Sequence, residues 1–108
     1  MVYTLGKLEQ KIAPIAQKYD VPAVYIFGSY ARNQATDDSD VDVLINRKGS
    51  KLVTMFDLGA FYNDLNESLD KTLDLVTEDA LTQDEVKRGT PWFLDNLQRE
   101  RVKIYDRR

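Results

Sequence analysis

Two short apolar runs constrain the fold of this chain most. Ala23-Val24-Tyr25-Ile26-Phe27 and Val41-Asp42-Val43-Leu44-Ile45 are each rich in β-branched and aromatic side chains. Runs this short suit buried strands better than helices. The first ends directly on Gly28-Ser29, and the second is entered through Asp40. Around these strands the sequence offers helices to cover a sheet. Leu5, Leu8, Ile12, Ile15, Ala16 and Tyr19 recur at helical spacing, with Thr4 as N-cap and Asp20-Val21-Pro22 as the stop. Pro14 lies inside that pattern and is expected to kink or split the helix. A second helix is expected from about Lys51 to Leu69, with Leu52, Met55, Phe56, Gly59, Phe61, Tyr62, Leu65 and Leu69 as its apolar stripe. Thr72 to Thr77 reads as a third strand. Thr90-Pro91 marks a further helix start, with Trp92, Phe93, Leu94 and Leu97 on its apolar side, and Val102 to Tyr105 is a short last strand. The order α-β-α-β-α-β-α-(β) predicts an α/β (α+β) fold, a small mixed β-sheet with helices packed on it.

Composition narrows the chemistry. The 108 residues, 43% of them hydrophobic, suit one domain spanning 1–108. There is no cysteine, which excludes disulfides, thiolate metal sites and cysteine nucleophiles. There is no histidine either, which excludes a Ser-His-Asp triad, an imidazole base and histidine-ligated zinc. Any metal must be held by oxygen, which points to Mg²⁺, Ca²⁺ or Mn²⁺. The net charge of −3 disfavours direct nucleic-acid binding. That balance is uneven: residues 1–86 carry 8 basic and 15 acidic side chains, and residues 87–108 carry 7 basic and 3 acidic. The basic end reads as a solvated charged segment or as a surface for an anionic partner. With no membrane-length apolar run and no leader-like start at Met1-Val2-Tyr3-Thr4, the expected location is cytoplasmic, with no membrane contact.

Three pieces of the sequence carry chemistry. Gly28-Ser29 closes a buried strand and opens a short helix, which Ser29 is expected to cap. Such a turn serves equally as an ordinary capped turn or as a phosphate cradle made of free N–H groups. Asp40 and Asp42 alternate along the second strand and share a face, opposite Val41, Val43 and Ile45. Two carboxylates at an apolar rim repel and resist desolvation, which a divalent cation relieves; a solvated acidic turn is the plainer reading, and Asp37 and Asp38 are assigned to it. Asp74 sits between Leu73 and Leu75, as an edge-strand aspartate facing water or as a third carboxylate beside Asp40 and Asp42. Together these parts suit metal-assisted phosphoryl or nucleotidyl transfer.

Gly28-Ser29, ten intervening residues and then Asp40-x-Asp42 resembles the signature of the DNA polymerase beta-like nucleotidyltransferase superfamily. The fuller form, FGSYAR followed by SDVDVL, is similar to the minimal nucleotidyltransferase group. The resemblance centres on residues 23–46, and the later LDLV and ERVKIYD segments also fit. It implies Asp40, Asp42 and Asp74 as catalytic Mg²⁺ ligands, two ions, with ATP as substrate. It implies Gly28 and Ser29 at the nucleotide phosphates, and Arg32 on phosphate or on a structural carboxylate. Asn33 departs from the glycine common in the family, a minor change because Asn tolerates left-handed backbone. Minimal members are often paired with a HEPN-domain toxin in a toxin–antitoxin system. The resemblance therefore implies an antitoxin that transfers AMP to a tyrosine of its HEPN partner, in a hetero-oligomer. The alternatives are an antitoxin that neutralises by binding alone and a small-molecule nucleotidyltransferase. Aromatics around Phe61-Tyr62 or Trp92-Phe93 are expected in the core, with a partner surface as the other reading.

Overall fold

The computed structural model describes residues 2–80 and 100–107. Its elements are α1 (Leu5–Lys18), β1 (Ala23–Phe27), α2 (Gly28–Ala31), β2 (Val41–Asn46), α3 (Met55–Leu69), β3 (Leu73–Thr77) and β4 (Val102–Asp106). The helix expected at Thr90-Pro91, with Trp92, Phe93, Leu94 and Leu97, lies outside the described residues. The four strands form one mixed sheet in the order β3-β2-β1-β4. β1 runs antiparallel to both β2 and β4, and β2 runs parallel to β3. Parallel neighbours need a crossover, and α3 provides it between β2 and β3. The mixed α/β fold expected from the sequence is the fold observed.

Alternation along the strands divides the sheet into two faces. Val24 and Ile26 of β1, Val41, Val43 and Ile45 of β2, Leu73 of β3 and Ile104 of β4 turn to the helices. They meet Leu8, Ile12 and Ala16 of α1 and Phe61, Leu65 and Leu69 of α3, all fully buried. Each such aliphatic or aromatic side chain contributes about 1.5–3 kcal/mol of burial. The two helices are also bolted together by polar contacts. The Tyr19 ring meets Phe61 edge-on, centroids 5.4 Å apart, and its hydroxyl donates to Asp64 Oδ2 at 2.7 Å. Tyr3 Oη donates to the Leu69 carbonyl at 2.7 Å and Lys11 Nζ to that of Ser68 at 3.2 Å. Those carbonyls end α3 and lack donors within the helix, so Tyr3, just before α1, and Lys11 within it supply them.

The helix termini follow local chemistry. Thr4 caps α1 by accepting from the Lys7 N–H, as its position predicts. α1 closes in a Schellman turn, with Asp20 at φ 55° and the Val21 N–H on the Ala16 carbonyl at 2.9 Å. Pro14 does not split the helix, contrary to expectation. Pro14 and Gln10 are both exposed, so the carbonyl deprived of its donor is left to water, and Leu8, Ile12 and Ala16 hold both halves on the sheet. α3 starts at Met55 rather than Lys51, because Thr54 and Asp57 form a capping box there. The stripe assigned to it is also corrected: Met55 and Phe56 are 80% and 90% exposed. Phe61 is core, as expected, and Tyr62 is half-buried against it. Among the described residues no helix is long and apolar enough to cross a membrane.

Phe61 is central to this packing. Phe61→Ala is expected to cost about 3–5 kcal/mol, read as a lowered urea midpoint with the slope of the transition unchanged.

Candidate active site

The second face of the sheet, away from α1 and α3, carries the carboxylates. Register puts Phe27 opposite Asp42 and Asp42 opposite Asp74, so three strands bring the end of β1 and two aspartates to one level. Asp40 lies one residue before β2 at the same end. The chain leaves β1 through Gly28, whose φ of +71° is a left-handed conformation that favours glycine. A Cβ there would overlap Asp42 Oδ2 and lie 3.1 Å from its Cγ. The bare Cα of Gly28 is therefore what lets the Asp42 carboxylate fold over the turn.

This turn corrects one expectation. Phe27, not Ser29, is the N-cap residue of α2, and no side chain caps that end. Gly28 bends the chain immediately after the strand, so Ser29 already lies inside the first turn. Its carbonyl accepts from the Gln34 N–H at 2.8 Å. The N–H groups opening α2 thus face the Asp42 end of the sheet without a capping side chain.

Contacts from the loop and α3 fix the two acidic strands against each other. The Val41 N–H donates to the Thr72 carbonyl at 3.0 Å and starts the parallel ladder. Lys71 Nζ donates to the Asp37 carbonyl at 3.1 Å, tying the loop before β2 to the entry of β3. Tyr62 Oη donates to the carbonyl of Leu73, the residue before Asp74, at 3.2 Å. An open groove of about 690 Å³ lies beside them, lined by Asp37, Asp38, Asp40, Tyr62, Asn66 and Lys71 among others. Asp37 and Asp38, read from the sequence as a solvated turn, are thus walls of a groove that includes Asp40. The density of acidic residues from 37 to 42, four in six positions, was the available signal.

Charge is concentrated at this rim. Asp42 is half-buried, and burial raises its carboxyl above the ordinary range; the charges of Asp74 and Asp40 raise it further, and Arg32 opposes them. Asp40 and Asp74 are exposed. Arg32 is occupied: Nη1 pairs with Glu100 Oε2 and Nε donates to Gln34 Oε1, both at 3.2 Å. The donor set of Asp40, Asp42 and Asp74 is all oxygen and mutually repulsive, which fits a hard divalent cation. Among the described residues, however, no three carboxylates are gathered closely enough to hold a metal by themselves.

Two measurements follow from this geometry. The folded-state pKa of Asp42 lies above its unfolded value of 3.8, so the ionised carboxylate costs stability at neutral pH. Asp42→Asn is expected to raise Tm at pH 7, with the gain vanishing as pH falls through the raised pKa toward 3.8. Gly28→Ala is expected to cost about 2 kcal/mol, from the left-handed backbone and the overlap with Asp42, read by urea denaturation.

Comparison with known proteins places the chain in a family. The family model "Polymerase beta, Nucleotidyltransferase" matches residues 10–107. A protein of Methanocaldococcus jannaschii named "Putative protein adenylyltransferase" is 35% identical over 77 residues, covering 71% of this chain and 81% of its own. A solved structure described as a "putative minimal nucleotidyltransferase" superposes with a TM-score of 0.67 at 25% identity, over 93% of this chain and 95% of the other. A chain from the crystal structure of a toxin–antitoxin with AMP-PNP shares the fold, with a TM-score of 0.62 at 19% identity, over 91% of this chain and 73% of the other. The chain belongs to the polymerase beta-type nucleotidyltransferase family.

Proposed function

We propose that this chain acts as a single minimal nucleotidyltransferase domain in the cytoplasm, transferring AMP from ATP to a tyrosine hydroxyl of a partner HEPN-domain toxin. In this reading it is the antitoxin of the pair. The observation that carries the proposal is the alignment of Phe27, Asp42 and Asp74 across β1, β2 and β3, with Gly28 folded under the Asp42 carboxylate. The relative named as a protein adenylyltransferase supports a protein acceptor. The structural neighbour solved as a toxin–antitoxin with AMP-PNP supports an adenine nucleotide and a toxin partner.

Asp40, Asp42 and Asp74 would hold Mg²⁺ together with phosphate oxygens of the bound nucleotide, since the described carboxylates alone are not gathered closely enough to do so. When bound, Mg²⁺ supplies charge neutralisation for the triphosphate and the departing pyrophosphate and favours ionisation of the acceptor hydroxyl. The opening N–H groups of α2, at Gly28 and Ser29, hold phosphate oxygens through hydrogen bonds. Arg32, released from Glu100, adds a second donor to the same phosphates. The acceptor approaches along the groove beside Asp40, between the 37–40 loop and Tyr62. Its hydroxyl oxygen bonds to the α-phosphorus, the bond to pyrophosphate breaks, and the hydroxyl proton passes to the carboxylate cluster. With no histidine in the chain, carboxylate is the side-chain base present at this rim.

The test is incubation with labelled ATP, Mg²⁺ and a HEPN partner, beside an Asp40→Ala/Asp42→Ala double variant. Label on a partner tyrosine is expected with the native chain and a loss of at least ~100-fold with the variant, a conservative figure for removing metal-centred charge stabilisation. Tight complex formation without label on either protein would instead establish an antitoxin that acts by contact alone.

A further inference from the structure

A side chain of α3 reaches from the groove to the strand that bears Asp74. Tyr62 is half-buried, packs against the core and lines the groove that includes Asp40. Its hydroxyl donates to the Leu73 carbonyl at 3.2 Å. β3 is an edge strand, with β2 as its neighbour in the sheet. A strand in a parallel ladder turns the carbonyls of alternate residues toward its neighbour. The Thr72 carbonyl accepts from the Val41 N–H and so faces β2. The Leu73 carbonyl therefore points away from β2, toward the edge of the sheet, where a strand would leave it to water. Tyr62 supplies the donor instead. The next residue, Asp74, turns its backbone to β2 again, opposite Asp42.

We propose that Tyr62 is the positioning residue for Asp74, clamping the edge strand so that the Asp74 carboxylate stays level with Asp42 for a divalent cation. The proposal rests on the reading of these aspartates as Mg²⁺ ligands. Asp74 needs such a clamp more than Asp42 does. Asp42 lies on a central strand between β1 and β3, and its carboxylate folds over Gly28. Asp74 is exposed, on a strand held by the sheet from one side. Lys71 Nζ ties the entry of β3 to the Asp37 carbonyl, but that contact is exposed to water. Tyr62 is anchored in the core, so its hydroxyl is the firmer of the two restraints. The described carboxylates are not gathered closely enough to hold a cation alone. A small outward shift of β3 therefore costs Asp74 its share in an ion bound with nucleotide phosphates, the usual effect of losing a group that orients a ligand. The same ring walls the groove, so an acceptor seated there rests on the residue that holds Asp74.

Mn²⁺ binding to the full chain with a non-hydrolysable ATP analogue tests this. Water-proton relaxation enhancement reports Mn²⁺ held on the protein rather than on free nucleotide. Tyr62→Phe keeps the ring and removes only the hydroxyl. It is expected to raise the apparent dissociation constant for Mn²⁺ about 10-fold. Tyr19→Phe is the comparison, because it removes a hydroxyl bond to Asp64 of the same helix, remote in sequence from Asp74. Both variants are expected to lower the urea midpoint, and Tyr19→Phe to leave the Mn²⁺ constant unchanged within about twofold. If Tyr62 acts through Asp74, Tyr62→Phe changes nothing further in an Asp74→Asn chain. Three results overturn the proposal alone: native Mn²⁺ affinity in Tyr62→Phe, an equal loss in Tyr19→Phe, or a further loss in the Asp74→Asn chain. A native chain that binds no Mn²⁺ with the analogue overturns the nucleotidyl-transfer reading, and this proposal with it.

Discussion

The carboxylate of Asp42 rests on the bare Cα of Gly28, and the chemistry of this protein is arranged around that contact. It joins the first residue of α2, directly after β1, to the second residue of β2. A side chain at Gly28 would push the carboxylate outward and away from the opening N–H groups of α2. Asp42 in turn lies in register with Asp74, so the position of Gly28 bears on both strands. The contact is costly. Burial and neighbouring carboxylates disfavour ionised Asp42, and nothing in the hydrophobic core requires it to be there.

The core makes that cost bearable by doing its work on the other side of the sheet. Val41, Val43 and Ile45 alternate with Asp42 and Leu44, so one strand serves the core and the site at once. The parallel pairing of β2 with β3 matters for the same reason. It aligns the two strands so that Asp42 and Asp74 emerge side by side at one edge. α3 closes the crossover that makes this pairing possible, and its Tyr62 hydroxyl holds the backbone immediately before Asp74. Core packing and site geometry are therefore coupled through α3.

Much of this was legible in the sequence. The apolar runs at 23–27 and 41–45 gave strands nearly to the residue, since short β-branched segments bounded by turn residues have few other uses. The Gly28-Ser29 and Asp40-x-Asp42 spacing located the acidic end of the sheet. Periodicity misled in α3, where apolar residues on both faces read as one stripe. Phe56 and Phe61 look alike in a sequence, and five positions on a helix place them on nearly opposite sides. Pro14 misled as well, because its penalty depends on whether the orphaned carbonyl faces water or the core.

The sequence by itself determined the elements and the chemical vocabulary. Without cysteine or histidine the site had to be built from carboxylates, backbone N–H groups and arginine, and strand alternation fixed which aspartates share a face. Tertiary structure decided what those groups meet. Only the sheet order sets Asp74 beside Asp42, since strand adjacency is not encoded in local pattern. The close approach of Asp42 to Gly28, the pairing of Arg32 with Glu100 across 68 positions, and the groove that recruits Asp37 and Asp38 were likewise decided there. Each depends on which distant segments pack together, and that is settled by burying the core as a whole, not by any local run of residues.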